Sequence, residues 1–151
     1  MVQETLFTDL AAGDREARCE YIDSQIRALL FGGSVYGLTV SQDEKQVLSA
    51  VRFHRGSANA ISIREITKST GLDPREVKNV VRVLRCNFHL PIGSSKHAVK
   101  GGYFIILTKE DQAIFDSDFL GQIRAQVDAH RAVSGPHRTR ELLGQLQMEI
   151  D

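Results

Sequence analysis

The sequence predicts a mainly α-helical domain of the α+β class, in which helices precede one small antiparallel β-hairpin. Three helix-start signals place a serine or aspartate three residues before a glutamate, and they begin at Ser41, Ser62 and Asp73. After the third signal the hydrophobic pattern becomes that of two short strands, over residues 89–92 and 103–107. Helices followed by a hairpin favour a helical domain with a small sheet at one side.

The chain length suits one small domain with helical extensions. Of its 151 residues, 42% are hydrophobic, and this share favours a folded chain with a single core over a disordered one. We therefore expect an N-terminal helical extension over 1–40, a central domain over 41–107 and a C-terminal helical extension over 108–151.

Four helices are predicted before the hairpin. Apolar residues at helical spacing from Cys19 to Leu29 indicate the first, and the three helix-start signals open the others. Pro74 occupies the first position of the last of these helices, where its missing N–H costs nothing. Gly71 lies just before it, in a tight turn where a positive φ is cheap only for glycine.

The helix that begins after Asp73 has an apolar face and a basic face. Val77, Val80, Val81 and Leu84 recur at helical spacing and are expected to face the core. The other side is expected to carry four cations and an asparagine, namely Arg75, Lys78, Asn79, Arg82 and Arg85. Arginine recognises guanine and asparagine recognises adenine in the major groove, so this face fits duplex DNA. The alternative is an ordinary solvated helix face, although such faces usually mix cations with glutamates.

The segment between the two predicted strands is basic and rich in hydroxyl groups. Its candidate ligands for DNA phosphates are Ser94, Ser95, Lys96, His97 and Lys100. Phosphate contacts of this kind position a protein on DNA and carry little sequence information. The alternative is a hairpin tip without a binding role.

Charge is concentrated in the same part of the chain. The chain has 19 basic and 19 acidic residues, which gives a net charge of zero. Residues 54–100 contain nine of the basic residues and only three of the acidic ones, so their net charge is plus six and that of the remainder is minus six. A basic centre between acidic arms indicates a polyanionic partner, whereas a mixed solvated surface would also suit a neutral chain.

Helix, helix, turn, helix, strand, basic loop and strand is the order of a winged helix-turn-helix domain. The segments ISIREITKSTGLDPREVKNVVRVLR, LPIGSS and GGYFIILTKED resemble the small winged helix-turn-helix DNA-binding proteins of bacteriophages and prophages, over about residues 46–110. The chain departs from most helix-turn-helix motifs at Thr67, where alanine is usual. It departs from the family's pattern where Pro74 and Arg75 follow Asp73, and at Gly93, where cysteine is frequent. The resemblance implies binding of double-stranded DNA in the transcription or replication control of a mobile element. A winged helix that docks on another protein is the second hypothesis.

Other function classes lack their sequence signatures. No nucleotide-binding or nucleophile motif occurs, and no histidine has a metal-ligand partner at useful spacing, so we expect no enzyme and no cofactor. We expect a cytoplasmic protein, because no run of about 18 apolar residues and no secretory signal occur. Cys19 and Cys86 are expected to be buried, reduced thiols, with a disulfide as the weaker alternative.

The extensions predict a homodimer. The long helix expected after residue 108 and the tail carry apolar residues at helical spacing, namely Phe115, Phe119, Ile123, Val127, Leu142, Leu146 and Ile150. Packing of these stripes on the chain's own core is the alternative. Pairing about a two-fold axis would present two recognition helices to successive major grooves, about 34–36 Å apart.

Overall fold

A computed structural model describes residues 15–96 and 101–151 of the protein. This part of the chain is mainly helical with one two-stranded antiparallel sheet, which confirms the predicted class. Its helices and strands, in chain order, are α1 (Arg15–Leu30), α2 (Gln42–Val51), α3 (Ile63–Thr70), α4 (Pro74–Phe88), β1 (Ile92–Ser95), β2 (Gly102–Ile105), α5 (Lys109–Ser134) and α6 (Pro136–Ile150). A short 3₁₀ turn, Ser57–Asn59, lies between α2 and α3.

The chain divides into two compact units, Met1–Phe115 and Asp116–Asp151. The core of the first unit is built from one face of each of its helices and from the sheet. The apolar stripes predicted for α1, α2 and α4 are buried in it, and its largest members include Ile26, Leu29, Leu48, Val51, Ile66, Val77, Leu84, Ile92 and Ile105.

The predicted helix-start signals cap the helices as expected. The Asp73 carboxylate accepts a hydrogen bond from the Glu76 N–H at 2.8 Å, and the Glu76 carboxylate accepts one from the Asp73 N–H at 2.9 Å. Ser41 and Glu44 form the same reciprocal pair at the start of α2. Between α3 and α4, Gly71 has φ 78° and caps the end of α3, as the sequence predicts.

The first strand lies three residues later than the sequence predicts. His89 has φ 52° and forms the C-cap of α4, and both its N–H and that of Leu90 donate to the Leu84 carbonyl oxygen. Residues 89–91 therefore complete the end of the helix, and the strand starts at Ile92. The assignment of a strand to 89–92 was wrong, and Ser94 and Ser95 belong to β1 rather than to the loop.

Strand β2 also bonds to the chain that precedes α3. Ile61 and Tyr103 exchange two N–H···O hydrogen bonds, each of 2.8 Å, and Ile105 donates to the His54 carbonyl oxygen at 2.8 Å. Gly102 makes the close approach possible, because a Cβ on this residue would lie 2.0 Å from the Ile61 carbonyl oxygen. The sheet is thereby fixed against the helical part of the first unit.

The buried carboxylate of Asp111 fixes the start of α5. It accepts hydrogen bonds from the N–H groups of Ser57 at 2.9 Å, Leu107 at 3.0 Å and Thr108 at 3.2 Å. Burial acts to raise the pKa of the Asp111 carboxyl, but these three N–H donors and the Ser57 hydroxyl together outweigh it and hold the pKa below its ordinary value. Asp111 thus joins the 3₁₀ turn to the first turn of the long helix.

The second unit consists of the remainder of α5 and of α6, joined by Gly135. The two helices meet near this turn, where Nδ1 of His130 lies 2.8 Å from the buried Thr139 hydroxyl. Large apolar side chains further along both helices are exposed. Among residues 15–96 and 101–151, no helix has both the length and the apolar character that crossing a membrane requires.

Candidate nucleic-acid interface

Helix α4 presents the polar face that the sequence predicts, with one exception. Arg75, Lys78, Asn79 and Arg82 are exposed, while Val77, Val81, Leu84 and Phe88 on the other side are buried. At a rise of about 1.5 Å per residue, Arg75 and Arg82 lie in one line about 10 Å apart along the helix axis. Lys78 and Asn79 lie on either side of that line. The structure therefore brings four of the predicted residues together on one surface, here called the basic face.

The basic face is free of opposing charge from its own helix. Glu76 is the only acidic residue of α4, and its carboxylate bonds back to the Asp73 N–H at the helix start. An acidic group used as a cap at the N-terminus also offsets the positive end of the helix dipole. Of the charged side chains of α4, only three cations therefore lie along the middle of the face.

Arg85 is the exception, and its assignment to the exposed face was wrong. Its Nε donates a 2.7 Å hydrogen bond to the Ile92 carbonyl oxygen, and its Nη2 donates one of 3.3 Å to the Ser94 hydroxyl. The guanidinium also lies over the rings of Tyr103, at 5.8 Å, and Phe115, at 5.2 Å. Arg85 is four residues after the core residue Val81, which places it at the border of the apolar stripe, and its contacts with Ile92 and Phe115 turn it inward. Its guanidinium therefore joins α4 to the hairpin.

The environment of Arg85 changes its protonation equilibrium and that of its neighbour. Burial lowers the pKa of the Arg85 guanidinium, an effect that Tyr103 and Cys86 oppose. Burial also raises the pKa of the Tyr103 phenol, and the charge of Arg85 opposes that shift. The pair is thus a partly desolvated contact in which the cation lies against aromatic surface.

The predicted ligands of the hairpin are placed differently from one another. Ser94 is half-buried, and its hydroxyl accepts a hydrogen bond from Arg85. Ser95 is only 5% exposed within β1, so the prediction that its hydroxyl is available to a DNA phosphate was wrong. Lys96 is exposed directly after the strand. His97 and Lys100 lie outside the described residues.

The cations that make residues 54–100 basic differ in their surroundings, because some are paired with a carboxylate or half-buried and others are exposed. Arg55 lies 3.4 Å from the Asp23 carboxylate, which also contacts Arg52 and Arg27, so its charge is offset locally. This cluster has no signal in the sequence, because Asp23 and Arg55 are far apart in the chain. Among the described residues of this region, six cations are exposed, namely Arg64, Lys68, Arg75, Lys78, Arg82 and Lys96.

Cys86 lies beside the basic face, a position that we did not predict from the sequence. It follows Arg82 by four residues and is exposed, so the expectation that both cysteines are buried was wrong. Cys19 is half-buried, and both cysteines are free thiols, as predicted. The helical spacing from Arg75 and Arg82 is the signal that would have placed Cys86 correctly.

In the part of the chain that the structure describes, no three His, Cys, Asp or Glu side chains are grouped so that they could hold a metal ion. The candidate site is thus a helix with three cations and an amide on one exposed face, and Arg85 bonds this helix to the hairpin. Comparison of the chain with protein-family models, with curated proteins and with solved structures finds no match.

Proposed function

We propose that residues 41–107 form a winged helix-turn-helix domain that binds double-stranded DNA through the basic face of α4. The observation that carries the proposal is that face itself, on which Arg75, Lys78, Asn79 and Arg82 are exposed together, while the one carboxylate of α4, that of Glu76, bonds back to the helix start. In this account α4 is the recognition helix, and the β1–β2 hairpin is the wing. Lys96, at the end of β1, contacts a phosphate.

The chemistry of the basic face suits base recognition in the major groove. That groove is about 12 Å wide and accepts an α-helix. Arginine donates two hydrogen bonds to O6 and N7 of guanine, and asparagine pairs with N6 and N7 of adenine. Arg75, Asn79 and Arg82 lie on successive turns of α4, so they would contact bases along one stretch of the groove.

The scaffold around α4 supports the same proposal. Helices α3 and α4 are joined by a three-residue turn in which Gly71 takes the left-handed conformation, a short link of the kind found in helix-turn-helix motifs. The hairpin follows α4 directly, and Arg85 holds it to the helix. A wing fixed in this way would move with the recognition helix as one body.

On the resemblance to winged-helix proteins of phages and prophages, we extend the proposal to transcription or replication control of a mobile element. The second candidate is a winged helix that docks on an acidic protein surface. The exposed cations of the basic face would suit either partner, and base-recognising chemistry, above all Asn79, favours DNA.

A gel mobility-shift assay with duplex DNA, at low and at moderate salt, distinguishes the two candidates. DNA binding releases counterions, so affinity falls with salt by about 0.9 logarithmic units per phosphate contact for each tenfold increase. We expect binding that weakens in this way, and selection from a randomised duplex pool would give the preferred sequence. Failure to bind duplex DNA at any salt would favour the protein-docking alternative.

A further inference from the structure

The second unit carries an exposed apolar stripe on each of its helices. On α6 the stripe consists of Leu142, Leu143, Leu146 and Ile150, whose exposed fractions are 40%, 39%, 49% and 70%. On α5 it consists of Phe119, Leu120 and Ile123, which are between 42% and 50% exposed. Amphipathic helices of stable proteins normally bury such stripes, and contiguous exposed apolar surface marks an interaction site.

We propose that the α6 stripe is a homodimer interface, in which α6 of one copy packs antiparallel against α6 of a second copy about a two-fold axis near Leu143. A two-fold contact places the same patch on both partners, so the patch must be complementary to itself. The inference goes beyond DNA binding and does not depend on it.

The charges that flank the α6 stripe have this self-complementarity. Arg138 and Glu149 are eleven residues apart, or about three turns, so both lie on the same flank of the stripe. In an antiparallel pair centred near Leu143, Arg138 of one copy therefore lies opposite Glu149 of the other. The symmetry repeats the contact, and the dimer has two such ion pairs.

The opposite side of α6 provides a control. Met148 is 81% exposed, and its position on the helix is about 160° from that of Leu146. Leu146→Glu would place a charge in the centre of the apolar contact. Met148→Glu adds the same charge to the same helix, two residues away, without entering the proposed interface.

Light scattering of the full chain at micromolar concentration tests the interface. We expect the parent and Met148→Glu to have twice the chain mass of 16.8 kDa, and Leu146→Glu to have the mass of one chain. Circular dichroism of the variants checks that the helices are retained. A parent mass of 16.8 kDa, or equal masses for Leu146→Glu and Met148→Glu, would overturn the proposal.

Charge reversal tests the antiparallel register. Arg138→Glu and Glu149→Arg should each weaken dimerisation at low salt, because each homodimer then has two like-charge contacts. Mixing the two variants should restore the dimer, since both contacts in the heterodimer become attractive again. Equal dimerisation of the separate and mixed variants would contradict this register, and loss of DNA binding without loss of the dimer would bear on the proposed function alone.

Discussion

The Nε atom of Arg85 donates a 2.7 Å hydrogen bond to the carbonyl oxygen of Ile92, and this contact joins the last turns of α4 to the first residue of β1. The proposed recognition helix and the proposed wing are therefore joined by a side-chain hydrogen bond in addition to the backbone between them. A cation that the sequence assigned to DNA instead has a structural role.

Replacement of Arg85 by alanine should lower the free energy of unfolding by about 1.5–3 kcal/mol, the range for hydrogen bonds that involve a charged group. The buried Ile92 carbonyl oxygen would lose its Arg85 donor, and the guanidinium contacts with Tyr103 and Phe115 would be lost. Urea denaturation measures the change. Arg82→Ala, three residues earlier and exposed, is the matched control and should leave stability within about 0.5 kcal/mol of the parent. Equal effects of the two variants would contradict the role given to Arg85.

Asp111 should make stability depend on pH in the acid range. Its pKa in the folded protein lies below its ordinary value, so its stabilising effect is complete above the unfolded pKa of about 3.9 and is lost as pH falls through the folded value. Asp111→Asn should lower the free energy of unfolding by about 1–3 kcal/mol near neutral pH, because one amide oxygen cannot replace both carboxylate oxygens as acceptors.

Denaturation of the parent and of Asp111→Asn over a pH series measures this dependence. The difference between the two proteins should be constant from neutral pH down to about 5 and should narrow as the carboxyl is protonated. Glu110→Gln alters the exposed neighbour in the same helical turn and should change stability little. A difference that stays constant down to pH 2 would mean that the ionised carboxylate does not fix the helix start.

Gly102→Ala should destabilise the first unit by at least about 2 kcal/mol. The new methyl group would lie 2.0 Å from the Ile61 carbonyl oxygen, so the pair of hydrogen bonds between Ile61 and Tyr103 must break or shift. Thermal unfolding followed by circular dichroism measures the loss. Gly121→Ala is the matched control, because nothing lies within 4 Å of its Cβ position in α5, and it should stabilise the helix by about 0.5–1 kcal/mol. Unchanged stability of Gly102→Ala would show that the approach of the two segments is not needed.

The parts of the fold that local chemistry determines could be predicted from the sequence. The capping pair Asp73 and Glu76 and the left-handed Gly71 act within a few residues, and the structure has them as expected. The start of β1 was misplaced because the left-handed conformation of His89 is uncommon for a residue other than glycine, and its sequence gives no signal for it.

Exposure of the candidate site residues was predicted correctly where helical periodicity alone decides it, as for Lys78 and Arg82. The prediction was wrong where a contact with a residue outside the helix decides whether the side chain is exposed. Arg85 lies at the border of the apolar stripe, and only the position of Ile92 and Phe115 determines that it turns inward. Ser95 was likewise assigned to the exposed loop because β1 begins later than predicted, and within this strand its side chain is buried.

Fluorescence anisotropy with a labelled DNA duplex, over a range of salt concentrations, tests the proposed basic face most directly. Arg82→Ala should raise the dissociation constant by about 5- to 150-fold if Arg82 contacts a base, whereas loss of a phosphate contact at Lys78 should reduce the salt slope by about one unit. Arg124→Ala, which removes an exposed cation of α5, is the control and should bind as the parent does. If Arg75→Ala, Lys78→Ala and Arg82→Ala all bind with the parent's affinity and salt slope, α4 is not the recognition helix.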